Sequence, residues 1–559
     1  MSEGSPTRHG PGYYRFLEFC RLSWVYALLV GGALVFSWPF VWMAATSVKV
    51  DRELFGQTLH LWPSRPTPQI RSPYVDTRCF DDVTGARLPA LLPAIERVLQ
   101  GMAVAWPAEG DRAAVIRCAA RGVFEKLLAT VPRVQWEAAG MAAALPAWIT
   151  PALVEDVLVQ MRRSLAIGQL RARSYDLVED QLVAPDAVAA TWAVSGPAEA
   201  RLVQVPSTRE PYAQLHYDFS RGDRVELART FTTSFPIERL HRLELYLRND
   251  DTWHRLNVSV EKQGRRYEAV RDYDLANYSS WGLVTWQEPG PDDRSNKIRS
   301  WTLLRDVGSS PVTGPREVRV TLRLTQVGAT GAWWGKIRRN YRGALGYLPF
   351  GRYVATSLFL VLLNLVGTLF SCSLVAYSFA RLHWPGRNFS FALMLATMMI
   401  PGQVTMIPHF LIMRALGWYN TLYPLWVGSL FAGAFNVFLL RQFMKGIPRD
   451  LEDAAKIDGC GFWRVYWHLV LPLIRPTLAA IGIFTFMGTW NDFMGPLIYL
   501  GDQRLYPLAL GLYAFNVQAG GSMSMMMAGS LLMTMPVIVI FFFAQKYFIQ
   551  GITLTGMKG

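Results

Sequence analysis

The residues of this chain that could do chemistry are arranged in ways that argue against most of it. Asp250 and Asp251 are adjacent, as are Asp292 and Asp293 with Glu288 nearby, and a pair of carboxylates is what glycosidic hydrolysis requires. Each set sits in a turn-like context, where acids serve local hydrogen bonds. The eight histidines have no partner at metal-ligand spacing, and the five cysteines form no zinc cluster. Gly335 and Lys336 are followed by Ile337, so the phosphate-cradling loop GxxxxGK[ST] is missing. No catalytic residue, metal, resident cofactor or nucleic-acid partner is expected. One polar stretch stands apart: EDAAKIDGCG, residues 452–461, lies between two oily runs.

Those runs define the class. The chain has 559 residues, 51% of them hydrophobic, and a net charge of +14, with the apolar residues gathered in blocks. Charge-free runs at 24–46, 353–380, 389–413 and 415–440 meet the ~20 residues that cross ~30 Å of hydrocarbon. Two more, 476–500 (interrupted by Asp492) and 521–545, bring the expected helices to six. The first run is too long for a signal peptide and lacks its cleavage pattern. Arg15, Arg21, Arg381, Arg387, Arg441, Lys445, Arg449, Lys456, Arg464, Arg475 and Lys546 fall on one side, together with the terminal Arg8 and Lys558, and the short loops opposite hold only Arg414 and Arg504. That bias puts both termini and 445–475 in the cytoplasm. Arg338, Arg339, Arg342 and Arg352 run against it, but they close a long segment, and long segments translocate regardless of charge.

That segment, 49–352, holds no span and is expected to be an extracytoplasmic domain. From about 88 to 170 it has helical spacing, with Thr150 and Pro151 reading as N-cap and first-turn proline. From about 190 to 326 the period shifts towards two, as in RLHRLELYLRND and REVRVTLRLTQV, which suggests a β-sandwich. Trp253, Tyr273, Tyr278, Trp281 and Trp286 suit either a sugar-stacking platform or the core and rim of that sandwich. Cys79 and Cys118 suit either a disulfide or two free thiols.

Within the apolar runs Asn364, Gln403, Asn436, Asn491 and Asp492 are polar groups that either line a path or tie helices together. The cytoplasmic stretch IPRDLEDAAKIDGCGFWRVYWHLVLPLIRP, 447–476, reads as a short helix, a glycine reversal and a second helix. Its spacing resembles the coupling loop of ABC-importer permeases: Asp453, Ala454, Ala455, Asp458, Gly459, Leu471 and Pro472 match, Glu452 precedes them, and Cys460 stands where alanine is common. FARLHWPGR, MIPGQVTMIPHFLIMRALGWYNTLYPL, FLLRQFMKGIP, WNDFMGPLIYL and QKYFIQGITLTGMKG are similar to further signatures of carbohydrate-importer permeases, in particular the smaller membrane subunit of the maltose transporter. The likeness covers 24–68 and 339–559; the residues between are an insertion on which the family is silent.

The resemblance implies an all-α polytopic membrane protein with the ABC-importer permease fold and a part-helical, part-β-sandwich insertion. Its parts would be 1–48 (cytoplasmic N-terminus and first span), 49–352 (insertion) and 353–559 (core with five spans and the loop 445–475). It implies a multi-pass protein of the bacterial inner membrane that pairs with a second permease and a cytoplasmic ABC ATPase dimer, which would bind ATP and magnesium. An extracytoplasmic binding protein would deliver a sugar or oligosaccharide across the lipid bilayer by alternating access. A membrane-anchored carbohydrate-binding or sensory protein would account for the strands but not for six spans and a coupling loop.

Overall fold

The computed structural model describes residues 11–55, 60–108, 110–132, 141–206, 211–276, 281–289, 299, 301–518 and 522–553. Tyr278, Asp292, Asp293, Arg8 and Lys558 lie outside them. A long helix α1 (Pro11–Val48) leads into a single turn α2 (Asp51–Phe55), and a globular region follows. Helices α3 (Leu88–Gly101), α4 (Arg112–Thr130), α5 (Met141–Trp148) and α6 (Pro151–Met161) enclose a core of Ile95, Leu99, Val123, Leu145, Val157 and Met161. Asp111 caps α4 by accepting from Ala113 N (3.0 Å). Thr150 caps α6 by accepting from Leu153 N (3.3 Å), with Pro151 in the first turn, as its sequence predicts.

The helical stretch ends at Met161 rather than near 170, and Leu165–Ser174 is a strand. Its Leu, Ala, Gln and Arg are good helix formers. Pairing on both sides, with Tyr212–Asp218 and with Leu240–Arg248, overrides that preference. The expectation of two separate stacked sheets is also revised: among the described residues fourteen strands join in one sheet, eleven of them along a single path and three pairing off it, beside a separate two-stranded pair. Two antiparallel halves meet where Gly282–Gln287 pairs in parallel with Thr302–Ser309. Leu215, Leu245 and Trp286 from one half share a core with Leu227, Val258 and Val320 from the other.

Burial decides several open readings. Trp286 and Trp253 are buried, so neither offers a stacking face, and Trp281 leans edge-on against Tyr212 (5.2 Å). Asp250 accepts from Tyr217 Oη and from Thr252 Oγ1, both at 2.7 Å, Asp251 pairs with Arg52 (3.3 Å) and Glu288 with Lys262 (3.0 Å). These acids are structural partners. Cys79 and Cys118 are free thiols, and burial raises Cys118 to about 11.

The globular region is tied to the apolar helices by α7 (Ala329–Tyr347). Lys336 Nζ donates to Glu53 Oε1 (2.6 Å) and Ser64 O (2.7 Å), and Asn340 Nδ2 donates to the carbonyls of Ser47 (2.8 Å) and Lys49 (2.9 Å). A buried ion pair is costly unless its remaining hydrogen-bonding capacity is met; here Ser64 completes the shell of both partners. Beyond α7 come α8 (Phe350–Arg381), α9 (Arg387–Thr397), α10 (Gly402–Ala415), α11 (Ala434–Lys445), α12 (Arg449–Ile457), α13 (Arg475–Trp490), α14 (Met494–Tyr499), α15 (Leu508–Gln518) and α16 (Met523–Thr553).

Six uninterrupted spanning helices are not what the apolar runs form. Among the described residues four helical segments, Leu22–Val48, Phe350–Arg381, Val427–Lys445 and Met523–Phe543, are long and apolar enough to cross. The run 389–413 is instead the pair α9 and α10, bent by 98° at the break before Gly402. Pro401 lacks an N–H and disfavours helix in the residue before it. The run 415–440 opens with left-handed Gly417 and Asn420 and becomes α-helical only at Ala434. The run 476–500 breaks at Asn491–Asp492.

One imidazole bridges the two ends of the globular region. Val327 N donates to His254 Nδ1 (3.1 Å), and His254 Nε2 lies 2.7 Å from Gln69 O, which requires the neutral Nε2–H tautomer. Burial holds His254 below the ordinary imidazole value, against the pull of Asp250. The unfolded chain therefore takes up this proton near pH ~6.5 while the folded one resists. Stability should fall as pH drops below that value, by at most about 1.4 kcal/mol per unit. Thermal unfolding of the full chain across this range should show the loss, and His254→Asn, which keeps an acceptor for Val327, should flatten the slope.

Candidate functional site

Helix α12 is short, and its sequence fixes both ends. Asp450 and Glu452 occupy the first turn and Lys456 the last, which complements the helix dipole. The chain then reverses: Asp458 N and Cys460 N donate to Ala454 O (3.0 Å) and Ala455 O (2.9 Å). Gly459 takes φ +78°, a conformation costly for any residue with a Cβ. A second helical segment, Phe462–Leu473, follows and bends by 75° into α13. Leu471 and Pro472 sit at that bend, half-buried, and position it rather than face outwards. Ahead of them Val465–Val470 is wound more loosely, with i→i+5 bonding.

The inner side of this unit is pinned to α8. Glu452 is buried, and its Oε1 lies 2.9 Å from Arg381 Nε. Arg381 also donates to Met444 O, and to Ile447 O at 2.8 Å. One turn back along α8, Tyr377 Oη donates to Phe462 O (3.3 Å) and its ring packs on Tyr466 (5.3 Å). A further turn back, Ser373 Oγ and Tyr466 Oη share a hydrogen bond of 2.7 Å. Residues 373, 377 and 381 recur every four and so form one stripe of the helix. Glu452, which the sequence sets beside Asp453 in the coupling stretch, faces inwards against Arg381.

The outer side is open. Leu451, Asp453, Ala454, Lys456, Ile457 and Asp458 are exposed, with Ile457 at 87%, and Phe462, Trp463 and Trp467 extend the apolar surface. Asp453 accepts from Lys456 Nζ (2.9 Å), which holds its carboxyl below the usual carboxylate range. Exposed apolar side chains rimmed by charge mark contact surfaces.

The intramembrane candidates separate into two kinds. Gln403 borders a hollow of about 430 Å³ with Thr405, Met406, His409, Gly495 and Tyr499. Asp492 caps the turn beneath it by accepting from Gly495 N (3.1 Å). Asn436 sits against Cys372, Asn491 bonds its own helix at Met487 O (2.9 Å), and Asn364 ties α8 to Leu425 O (3.0 Å). Of the sequence candidates, Gln403 borders the hollow, Asp492 braces the Gly495 turn at its edge, and Asn436 and Asn491 are held elsewhere. Sequence reasoning missed His409 and Tyr499, joined at 2.6 Å; an ionisable ring inside IPHFLIM was the available signal.

Comparison with known proteins adds the family. Residues 371–554, which contain α12, its α8 contacts and the hollow, match the binding-protein-dependent transport system inner membrane component. The arabinooligosaccharides transport system permease protein AraQ of Halalkalibacterium halodurans is 38% identical over 210 residues, covering 38% of this chain and 74% of that protein. AraQ of Bacillus subtilis is 36% identical over 208 residues, with 37% and 74% covered. The galactooligosaccharides transport system permease protein GanQ of Bacillus subtilis is 33% identical over 216 residues, with 38% and 76% covered. This chain belongs to the family of binding-protein-dependent transport system inner membrane components.

Proposed function

We propose that the chain is the permease subunit of an ATP-driven importer of a sugar or oligosaccharide, and that α12 is its mechanical joint. One observation carries this: α12 is locked to α8 through a buried ion pair while its opposite face stands open. A separate ATPase dimer, which would hold ATP and magnesium, would dock on Leu451, Asp453, Ala454 and Ile457. Closure of that dimer would push α12, and the stripe Ser373–Tyr377–Arg381 would carry the displacement into α8 as a rigid-body movement. The carbohydrate class is supported by the names of the relatives.

A second permease would complete the path, to which this chain would contribute the hollow at Gln403, His409 and Tyr499. Taking the bent pair 387–415 and the helix 475–490 as one crossing each gives six crossings, and the charge bias then puts both termini in the cytoplasm of a bacterial inner-membrane protein. Residues 49–352 would lie outside, where a binding protein delivers the solute.

Replacing Asp453 with Lys sets two cations side by side on the docking face, and Gly459→Pro forbids the left-handed turn. Both should leave the chain inserted while reducing substrate-stimulated ATP hydrolysis and vesicle uptake by about tenfold or more, equivalent to ~1.4 kcal/mol of coupling. Normal values for both would remove α12 as the joint.

Arg381→Met strands Glu452 as a buried unpaired charge, costing about 3–5 kcal/mol. Protease resistance of 445–475 should drop, and the double change Arg381→Met with Glu452→Leu should restore much of it. Gly461→Cys, in a cysteine-free background, should resist a membrane-impermeant thiol reagent on intact cells; labelling there would invert the orientation.

A further inference from the structure

The cations that run against the charge bias are not spread evenly around α7. Ala332, Gly335, Lys336, Asn340, Gly343 and Ala344 are its buried side. Opposite them Trp334 (56% exposed), Arg338, Arg342 and Leu345 (50% exposed) stand in the open. Their spacing of four, four and three keeps them on one side of the helix. Arg339, between them, turns towards the globular region, where it acts on the buried Asp274, on which Arg342 acts more weakly. Among the described residues no carboxylate lies within ion-pair distance of Arg338 or Arg342. Arg338 stacks over Trp334 (5.3 Å).

The depth of this face follows from what α7 touches. Asn340 holds the carbonyls of Ser47 and Lys49 at the end of the span Leu22–Val48. Gly343 makes room for the side chain of Met525, at the start of the span Met523–Phe543, and α8 begins at Phe350 just beyond α7. Three spans therefore end at the level of α7. An indole, two guanidiniums and a leucine in sequence at that level match an interface: tryptophan and arginine at headgroup height and an aliphatic residue towards the acyl chains.

We propose that the Trp334–Arg338–Arg342–Leu345 face binds the phosphate headgroup of an anionic phospholipid in the leaflet on the side of the globular region. Guanidiniums suit phosphate because their forked donors bond its oxygens in pairs. The assignment does not depend on the transported solute. It answers why unpaired cations stay where the charge bias disfavours them: they have a counter-ion in the bilayer.

The test uses the full-length chain in its assembled complex, reconstituted in mixed phosphatidylglycerol–phosphatidylcholine nanodiscs, with retained lipid counted by native mass spectrometry. Wild type should retain phosphatidylglycerol preferentially. Arg338→Gln should reduce the preference about fivefold, and Arg338→Gln with Arg342→Gln on the order of twentyfold. The control Arg316→Gln with Arg319→Gln, which removes the same charge elsewhere on the globular region, should change nothing. A photoreactive residue replacing Leu345 should crosslink to lipid in the otherwise wild-type complex. Equal retention of both lipids by wild type, an unchanged preference in the double variant, or a crosslink to a protein chain would overturn the assignment; the last would make this face a subunit contact.

Discussion

The ion pair between Glu452 and Arg381 is the constraint on which the α12 end of the molecule depends. Removing a carboxylate and a guanidinium from water costs several kcal/mol per ion, and only close geometry with further hydrogen bonds offsets it. Here Nε and Oε1 approach to 2.9 Å out of hydrogen-bond line, and Arg381 gains its further bonds by donating to Met444 O and Ile447 O at the end of α11. One guanidinium thereby fixes three pieces of chain: the end of α8, the turn after α11 and the first turn of α12. With that corner fixed, a helix as short as Arg449–Ile457, marginal in isolation, holds one position against α8.

A comparable arrangement holds the other end. Lys336 and Asn340 of α7 satisfy the chain where it leaves α1, through Glu53, Ser64 and the carbonyls of Ser47 and Lys49. The long helices are largely apolar, and apolar packing alone gives little directional specificity. Polar pins at both ends supply the direction that the oily surfaces between them lack.

Legibility in the sequence followed the physics of each element. Thr150–Pro151, Gly459 and the apolar blocks were readable because caps, left-handed turns and hydrocarbon length act locally. Leu165–Ser174 was not, because its strand state comes from neighbours far away in sequence. The run 389–413 read as one span although Pro401 lies inside it, because apolar length carries no information on the 98° angle at which the chain resumes as helix. At the candidate site Glu452 and Asp453 read alike as acids of the coupling stretch, since one residue along a helix is a turn of ~100° and only the position of Arg381 shows which acid faces in.

His254 has a bearing on how the chain enters and leaves the globular region. Its two ring nitrogens meet Gln69 O, where the chain enters the globular region, and Val327 N, where it leaves. Entry and exit are thus spanned by one imidazole with a hydrogen bond on either side. The residues from 70 to 326 therefore leave and return at one place, and the imidazole acts as a clasp that holds the two crossings of chain in register.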